Sequence, residues 1–341
     1  MARFIGLDIG SFSIKVVALS KKGQGFRLET IGIALNPYGA RPGADDASQT
    51  RVAEAVKKLL SDLKIAGAKA AMALAESQVY TKVIVMPVLS DSELASAIHW
   101  EAEQYVPVPL DQVNIDYEVI SRPEKGSADQ KMEVLLVGAP KTAVKQMAQF
   151  SEKCGVELVS LETELIAVSR SMIPDTNEPA PIMLVHLGSS STDIAVVKSG
   201  MLVFTHSLES GGSALTRVLA NELGLEFPQA EEYKRSYGLD PSQLEGKVRE
   251  SLFPLVERNF SDMKKALSYY NSAHQEEPIK RVVLSGGAAL LPELVSAMAE
   301  SLALEVVLGN AFVRVEPSEH ASIPGDTVSF ATAVGLAMKE V

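Results

Sequence analysis

Ile5-Gly-Leu-Asp-Ile-Gly-Ser-Phe-Ser-Ile-Lys-Val-Val17 can be laid on Met183-Leu-Val-His-Leu-Gly-Ser-Ser-Ser-Thr-Asp-Ile-Ala-Val-Val197. Each stretch reads as a buried β-run, a tight Gly-Ser turn and a returning β-run. Two such units, 178 positions apart, predict two related halves, each built on a mixed sheet. A chain of 341 residues has room for about two domains, which agrees.

Outward from the first unit, Phe26–Leu35 reads as a third strand and Asn36–Ser48 as a Pro- and Gly-bearing loop. Val52, Val56, Leu59, Leu60 and Leu63 set a helix over Gln49–Lys64, and strands follow at Ala70–Leu74 and Val79–Val85. Met86-Pro87 marks a boundary. Beyond it, Asp91–Gln104 reads as a helix capped by Ser90 or Asp91 and closed by Val106-Pro-Val-Pro109. Trp100 and Tyr105 are expected on its packed face. Val113–Ser121 and Met132–Val137 are strands around a polar loop, Arg122–Gln130. Lys141–Lys153 is a helix stopped by Gly155, and Val156–Leu161 is a strand. Residues 87–159 thus form a compact α+β insertion.

Pro174–Pro181 reads as a hinge between the halves. In the second half, Ile182–Leu187, Ile194–Val197, Leu202–His206 and Arg281–Leu284 are strands. Ser213–Leu223, most of Glu226–Tyr270 (bent at Pro254) and Phe330–Met338 are helices. So is Pro292–Ser301, with proline at its first position.

Composition narrows the function. Apolar residues make up 46% and charged residues 22%, which excludes disorder along most of the chain. A net charge of −11 repels phosphate backbones, so nucleic acid is not an expected partner. A small phosphate ligand is compatible, because backbone N–H groups bind it without net positive charge. Cys154 is the single cysteine, and His99, His186, His206, His274 and His320 show no metal-binding spacing. No apolar run reaches the ~18 residues of a membrane span. The N-terminus lacks a signal peptide's apolar core, and Ala2 breaks the myristoylation pattern. A reducing cytoplasm is the expected compartment.

Four stretches can carry chemistry. Asp8–Lys15 places Gly10, Ser11 and Ser13 in a turn whose N–H groups can aim at a phosphate, with Lys15 as a point charge and Asp8 as a Mg²⁺ ligand through water. His186–Asp193, with Gly188, Ser189, Ser190, Ser191 and Thr192, can grip the same phosphate from the other half. Gly286, Gly287 and Ala288 follow a β-run and allow a flat ligand close to backbone. Glu231 and Lys234 share a helix face, with Arg235 beside them, and can hold ribose hydroxyls. Taken singly, each also reads as a hairpin turn, a strand-to-helix turn or a solvated face.

In this order the four resemble the actin-like and sugar-kinase-like ATPases. The resemblance implies an actin-like fold of two RNase H-like lobes around an ATP or ADP site with Mg²⁺. Asp8–Lys15 is similar to the first phosphate motif, His186–Asp193 to the second, and Gly286–Ala288 to the adenosine motif. Glu231, Lys234 and Arg235 resemble the purine and ribose helix, and Gly211 and Gly212 are added to the nucleotide-binding set. Glu162, in Ser160-Leu-Glu-Thr-Glu-Leu-Ile-Ala167, falls where the first connecting helix begins and is the expected water-positioning group. Ala333-Val-Gly-Leu-Ala337 resembles the second connecting helix. The second phosphate motif ordinarily opens with Asp, and here it is His186. An imidazole does not replace a carboxylate on a hard cation. Asp193 is the expected compensating metal ligand, and hydrolysis is expected to be slow or absent.

The insertion at 87–159 is similar to that of the cell-division protein FtsA. His99-Trp100-Glu101-Ala-Glu103-Gln-Tyr105-Val-Pro107-Val-Pro109 resembles the PilM family, cytoplasmic actin-like proteins of type IV pilus assembly. That resemblance implies an ATP-binding scaffold. Its partners would be the N-terminal cytoplasmic tail of PilN, the pilus inner-membrane complex and the motor ATPases, with membrane reached only through partners. It also implies a division into subdomain 1A (1–86, 160–180 and 321–341), 1C (87–159), 2A (181–225 and 275–320) and 2B (226–274). Three rivals are set aside at this level. An FtsA-like division protein would carry a C-terminal amphipathic helix beyond Val341. A small-molecule kinase would need a base for a substrate hydroxyl. A type II secretion GspL-like protein would carry a transmembrane helix.

Overall fold

The computed structural model describes residues 3–37, 39, 45–123, 131–173 and 180–339. The loop expected over Asn36–Ser48 lies partly outside them, as do most of the Arg122–Gln130 loop and the Pro174–Pro181 hinge.

The first half opens with strands β1 (Phe4–Ile9), β2 (Ser13–Lys22) and β3 (Gly25–Leu35), then helix α1 (Asp46–Asp62) and strand β4 (Lys69–Leu74). Asp45 caps α1, accepting from the Ser48 N–H at 3.0 Å. Next come β5 (Tyr80–Pro87), α2 (Asp91–Ala102), β6 (Val113–Ser121), β7 (Lys131–Pro140), α3 (Lys141–Cys154), β8 (Glu157–Thr163) and α4 (Glu164–Met172). The second half contains β9 (Ile182–Leu187), β10 (Thr192–Lys198), β11 (Met201–Leu208), α5 (Gly212–Leu223), α6 (Phe227–Tyr237) and α7 (Lys247–Ala273). It closes with β12 (Arg281–Ser285), α8 (Leu294–Leu302), β13 (Glu305–Leu308), β14 (Val315–Glu316) and α9 (Ala331–Ala337).

The repeat read in the sequence is a repeat of topology. One sheet runs β14-β3-β2-β1-β4-β8 and the other β11-β10-β9-β12-β13. Without β14, each is an antiparallel three-strand meander followed by two parallel strands. The sheets face each other across α4 and α9, and a shared core of Val17, Leu28, Val168, Leu184, Val197 and Val334 joins the halves. Outside, α1 and α3 cover the first sheet, and α5, α7 and α8 cover the second.

The third sheet, β5-β7-β6, is the insertion, and its boundaries differ from those in the sequence. Tyr80–Pro87 pairs with β7 along its whole length, because Ile84 and Met86 alternate onto the small core of Leu94, Ile98 and Val134. At the other end, Met147, Phe150 and Cys154 of α3 pack with Val52, Val56 and Leu60 of α1 in the first lobe. Trp100 and Tyr105 also depart from expectation. The packed face of α2 is Leu94, Ile98 and Ala102, so Trp100, about 200° round from Ile98, is 73% exposed and Tyr105 41% exposed. Pro292 stands before α8, not in it. The chain turns at Glu293 (φ 62°) while the Pro292 carbonyl accepts from the Leu239 N–H at 2.9 Å. α7 runs unbroken through Pro254.

Candidate functional site: a cleft between two equivalent hairpins

The β1–β2 and β9–β10 turns have the same construction. The Gly10 N–H donates to the Ser13 carbonyl at 3.0 Å, and the Gly188 N–H to the Ser191 carbonyl at 2.9 Å. A Cβ at either glycine would press on that carbonyl, at 3.0 Å and 3.1 Å. Asn36 braces the first turn, its side-chain amide donating to the Gly10 carbonyl at 2.9 Å. The start of α5 braces the second, with the Gly212 and Ser213 N–H groups donating to the Gly188 and Ser189 carbonyls at 2.9 Å. The turns meet where the Ser11 and Ser190 hydroxyls come within 3.4 Å. Beneath them opens a cleft of about 390 Å³.

The cleft gathers most of the residues read from the sequence. Asp8, Gly10, Ser11, Ser13 and Lys15 line it from the first lobe. Gly188, Ser189 and Gly212 line it from the second, with Gly286, Gly287 and Ala288 on one wall and Glu231, Lys234 and Arg235 on another. Gly286 needs its glycine. Its φ is 85°, and a Cβ there would stand 2.3 Å from the Leu187 carbonyl oxygen. At Gly287 the nearest atom to an added Cβ is 4.0 Å away.

Other expected residues stand elsewhere. Ser190, Ser191, Thr192 and Gly211 support the second turn and do not line the cleft. The Thr192 hydroxyl donates to the Ser210 carbonyl at 2.7 Å. A Cβ at Gly211 would lie 2.6 Å from the Ser189 carbonyl oxygen. Asp193 is 1% exposed, accepts from the hydroxyls of Ser191 and Ser207, and is also off the lining. Glu162 forms ion pairs with Arg170 at 2.7 Å and Lys339 at 3.2 Å, away from the cleft. The carboxylate that does reach the cleft from this region is Glu164, in the first turn of α4. Two positions separate it from Glu162, and the change from strand to helix between them decides which side chain faces the ligand space. Glu164 was within the quoted motif, but its direction was not legible there.

Electrostatics refine the roles. Lys15 and Asp8 form an ion pair at 3.5 Å, both buried on the cleft floor. Lys234 is committed inside the protein: its ammonium donates to the Gly212 carbonyl at 3.0 Å, the Thr216 hydroxyl at 2.8 Å and Glu231 at 2.6 Å. Burial holds it below the ordinary lysine range, and Glu231 opposes that shift. With three donors used, it pins α6 to α5 and shapes the wall. His186 lines the cleft, its Nδ1 3.1 Å from the hydroxyl of fully buried Ser285. Sequence reading did not foresee the apolar rim of Phe12, Ile33, Leu35 and Leu290. Ile33 follows from the register, which sets it beside Lys15 on the cleft face.

For Mg²⁺, Asp8 fits, as a cleft-lining carboxylate able to act through water. Asp193 does not, because it is 1% exposed, lies off the cleft lining and is held there by the Ser191 and Ser207 hydroxyls. Among the described residues no group of three His, Cys, Asp or Glu side chains could hold a metal by itself.

Comparison with known proteins places the chain. The fold matches the PilM–PilN type IV pilus biogenesis complex with a TM-score of 0.85 at 22% identity, over 98% of each chain. It matches MreB5 of Spiroplasma citri bound to AMPPNP with a TM-score of 0.59 at 13% identity, over 100% of this chain and 96% of that one. FtsA of Streptococcus pneumoniae (serotype 2, strain D39) is 25% identical over 345 residues, covering 89% of this chain and 75% of FtsA. The fold is therefore the actin-like ATPase fold that the phosphate motifs implied. Residues 6–341 match the family model of type IV pilus assembly protein PilM, and with nearly its whole length inside that match the chain belongs to the PilM family.

Proposed function

We propose that the cleft binds ATP or ADP and that the protein serves type IV pilus assembly as a nucleotide-loaded scaffold. The observation that carries the reading is the pair of equivalent Gly-Ser turns over one cleft, with a buried lysine on its floor. Phosphates lie between Gly10–Lys15 and Gly188–Ser189, their oxygens met by turn N–H groups, serine hydroxyls and Lys15. Adenine lies against Gly286 and Gly287, where backbone leaves room for a flat ring. A bound Mg²⁺ supplies charge neutralisation at the phosphates, and Asp8 is the residue that holds it. Hydrolysis is slow or absent, because the second phosphate turn brings His186 where a metal-linked carboxylate would stand; Glu164 is the group that orients water.

The partner is the short N-terminal cytoplasmic tail of a PilN-type protein, taken up in a groove between the first lobe and the small three-stranded sheet. Through it the protein reaches the inner membrane and links the pilus complex to its motor ATPases. Among the described residues no helix is long and apolar enough to cross a membrane. The likeness to a chain of a PilM–PilN complex supports the partner class. A tail that is disordered when free orders on docking, so a few apolar anchors and backbone hydrogen bonds carry its affinity.

Mass spectrometry of nucleotide released from the purified protein, followed by calorimetric titration with ATP, tests the first part; no nucleotide and no heat would refute it. Anisotropy of a labelled PilN-type peptide, with Trp100 fluorescence as a second signal, tests the other. No change at high micromolar protein, with or without ATP, removes peptide capture. Turnover above about 1 s⁻¹, the low end of ordinary enzyme rates, would refute slow hydrolysis.

A further inference from the structure

The two copies of the repeat agree in register: Asp8 pairs with Lys15 as His186 pairs with Asp193. They do not agree in chemistry. The first copy turns a carboxylate and an ammonium into the cleft. The second turns in an imidazole, while the carboxylate opposite it is bound by Ser191 and Ser207 and lies off the lining. His186 is also anchored from behind. Its Nδ1 stands 3.1 Å from the Ser285 hydroxyl, and Ser285 is its register partner in the β9–β12 pairing. Ser285 has no solvent exposure, so the contact fixes the ring at the cleft floor, where His186 is itself only 9% exposed.

An imidazole makes a poor ligand for a hard cation but a good hydrogen-bond donor to an anionic oxygen. Such donors are roughly twice as strong when charged. We infer that His186, oriented by Ser285, binds the phosphate tail directly, so that the second lobe grips the nucleotide through an imidazole in place of a metal-bridged carboxylate. The inference rests on the nucleotide reading above and adds to it. Lys15 acts from the first lobe and His186 from the second. Asp8 remains the side chain assigned to a metal, and the contact from the second lobe outlasts the metal's removal. Ser285 is a positioning residue: it touches the ring and not the ligand.

Calorimetric titration of the full chain with ATP, in Mg²⁺ and in EDTA, tests this, with melting temperatures to confirm folding. His186→Ala is expected to bind ATP about tenfold more weakly or worse in both buffers, and Ser285→Ala to fall between it and the parent. His186→Asp restores the carboxylate and should lose more affinity on metal removal than the parent does. His186→Gln keeps a neutral donor and should retain partial binding, which covers the case of a poorly folded alanine variant. Parent-like affinity of His186→Ala in EDTA, or a His186→Asp variant no more metal-dependent than the parent, would overturn the inference. If the parent binds no ATP in either buffer, the nucleotide reading itself fails and the inference goes with it.

Discussion

Gly286 and Gly287 are adjacent and chemically identical, yet they answer different questions. Gly286 holds φ 85° with the Leu187 carbonyl where a side chain would begin, so Gly286→Val should fail to fold or melt far below the parent. Gly287 has space, so Gly287→Val should keep the parent's melting temperature and lose ATP binding, because its side chain enters the cleft. Unchanged affinity in a folded Gly287→Val would remove the adenine assignment. Glu76 is a second residue with a definite expectation. It accepts from the Leu165 N–H at 3.1 Å, at the start of α4, and from the Thr81 hydroxyl at 3.4 Å. Burial raises its carboxyl to about 7 from an ordinary 4.5, with the Asp193 charge adding to the rise and hydrogen bonds opposing it. The folded chain therefore holds a proton that the unfolded chain releases between pH 4.5 and 7. The associated stability is full below that window and is lost as pH rises through 7. Urea unfolding at pH 5 and pH 8 should show the parent losing up to about 3 kcal/mol more than Glu76→Gln across that interval. Equal losses would exclude the effect. Nothing in the sequence around Glu76 marks it, since its burial comes from α4, nearly ninety positions away.

Among the elements, α4 and α9 matter most, because they separate the two sheets and hold the shared core. Their closeness depends on one glycine: a Cβ at Gly335 would sit 1.8 Å from the Ala167 carbonyl oxygen. Gly335→Val must push the helices apart, and a loss of about 3 kcal/mol, or roughly 5–10 °C in melting temperature, is expected. A variant melting with the parent would contradict the packing. Arg170 ties the same pair, donating to Glu162 from both terminal guanidinium nitrogens at 2.7 and 2.8 Å and to the Gly335 carbonyl at 2.7 Å. Glu162→Gln should therefore cost stability, about 1–3 kcal/mol, while ATP affinity stays at the parent value. The opposite pattern, full stability with weakened ATP binding, would return Glu162 to the site. The resemblance to the actin-like ATPases put the start of a connecting helix at Glu162, and α4 begins two residues on, at Glu164. The sequence could not assign Glu162, because a carboxylate at a strand-to-helix junction faces the ligand or the neighbouring helix according to how the helix docks.

Across the whole molecule, the cleft is lined from both lobes, and the small sheet joins in where Leu135 of β7 shares a core with Leu202 of β11. A ligand touching both lobes is bound by the folded chain and not by the unfolded one. At a hundredfold excess over its dissociation constant, ATP should raise unfolding stability by about 2.7 kcal/mol and shift melting by several degrees. His186→Ala should show a smaller shift at the same concentration. A parent whose melting ignores ATP would argue against a site spanning the lobes.

By itself the sequence determined the repeat, and with it the two-lobed architecture, because a Gly-Ser turn between two β-runs is a local pattern with a local cause. It also determined both Gly-Ser turns, and Gly286 at the cleft wall, where the backbone's own needs select the residue. The tertiary structure alone decided the rest. It moved Tyr80–Pro87 into the small sheet, left Trp100 in solvent, committed Lys234 to α5, and set Glu164 rather than Glu162 against the cleft. Each of these turns on which face of an element meets a partner distant in sequence. That is fixed by docking between elements, which periodicity within one element does not encode.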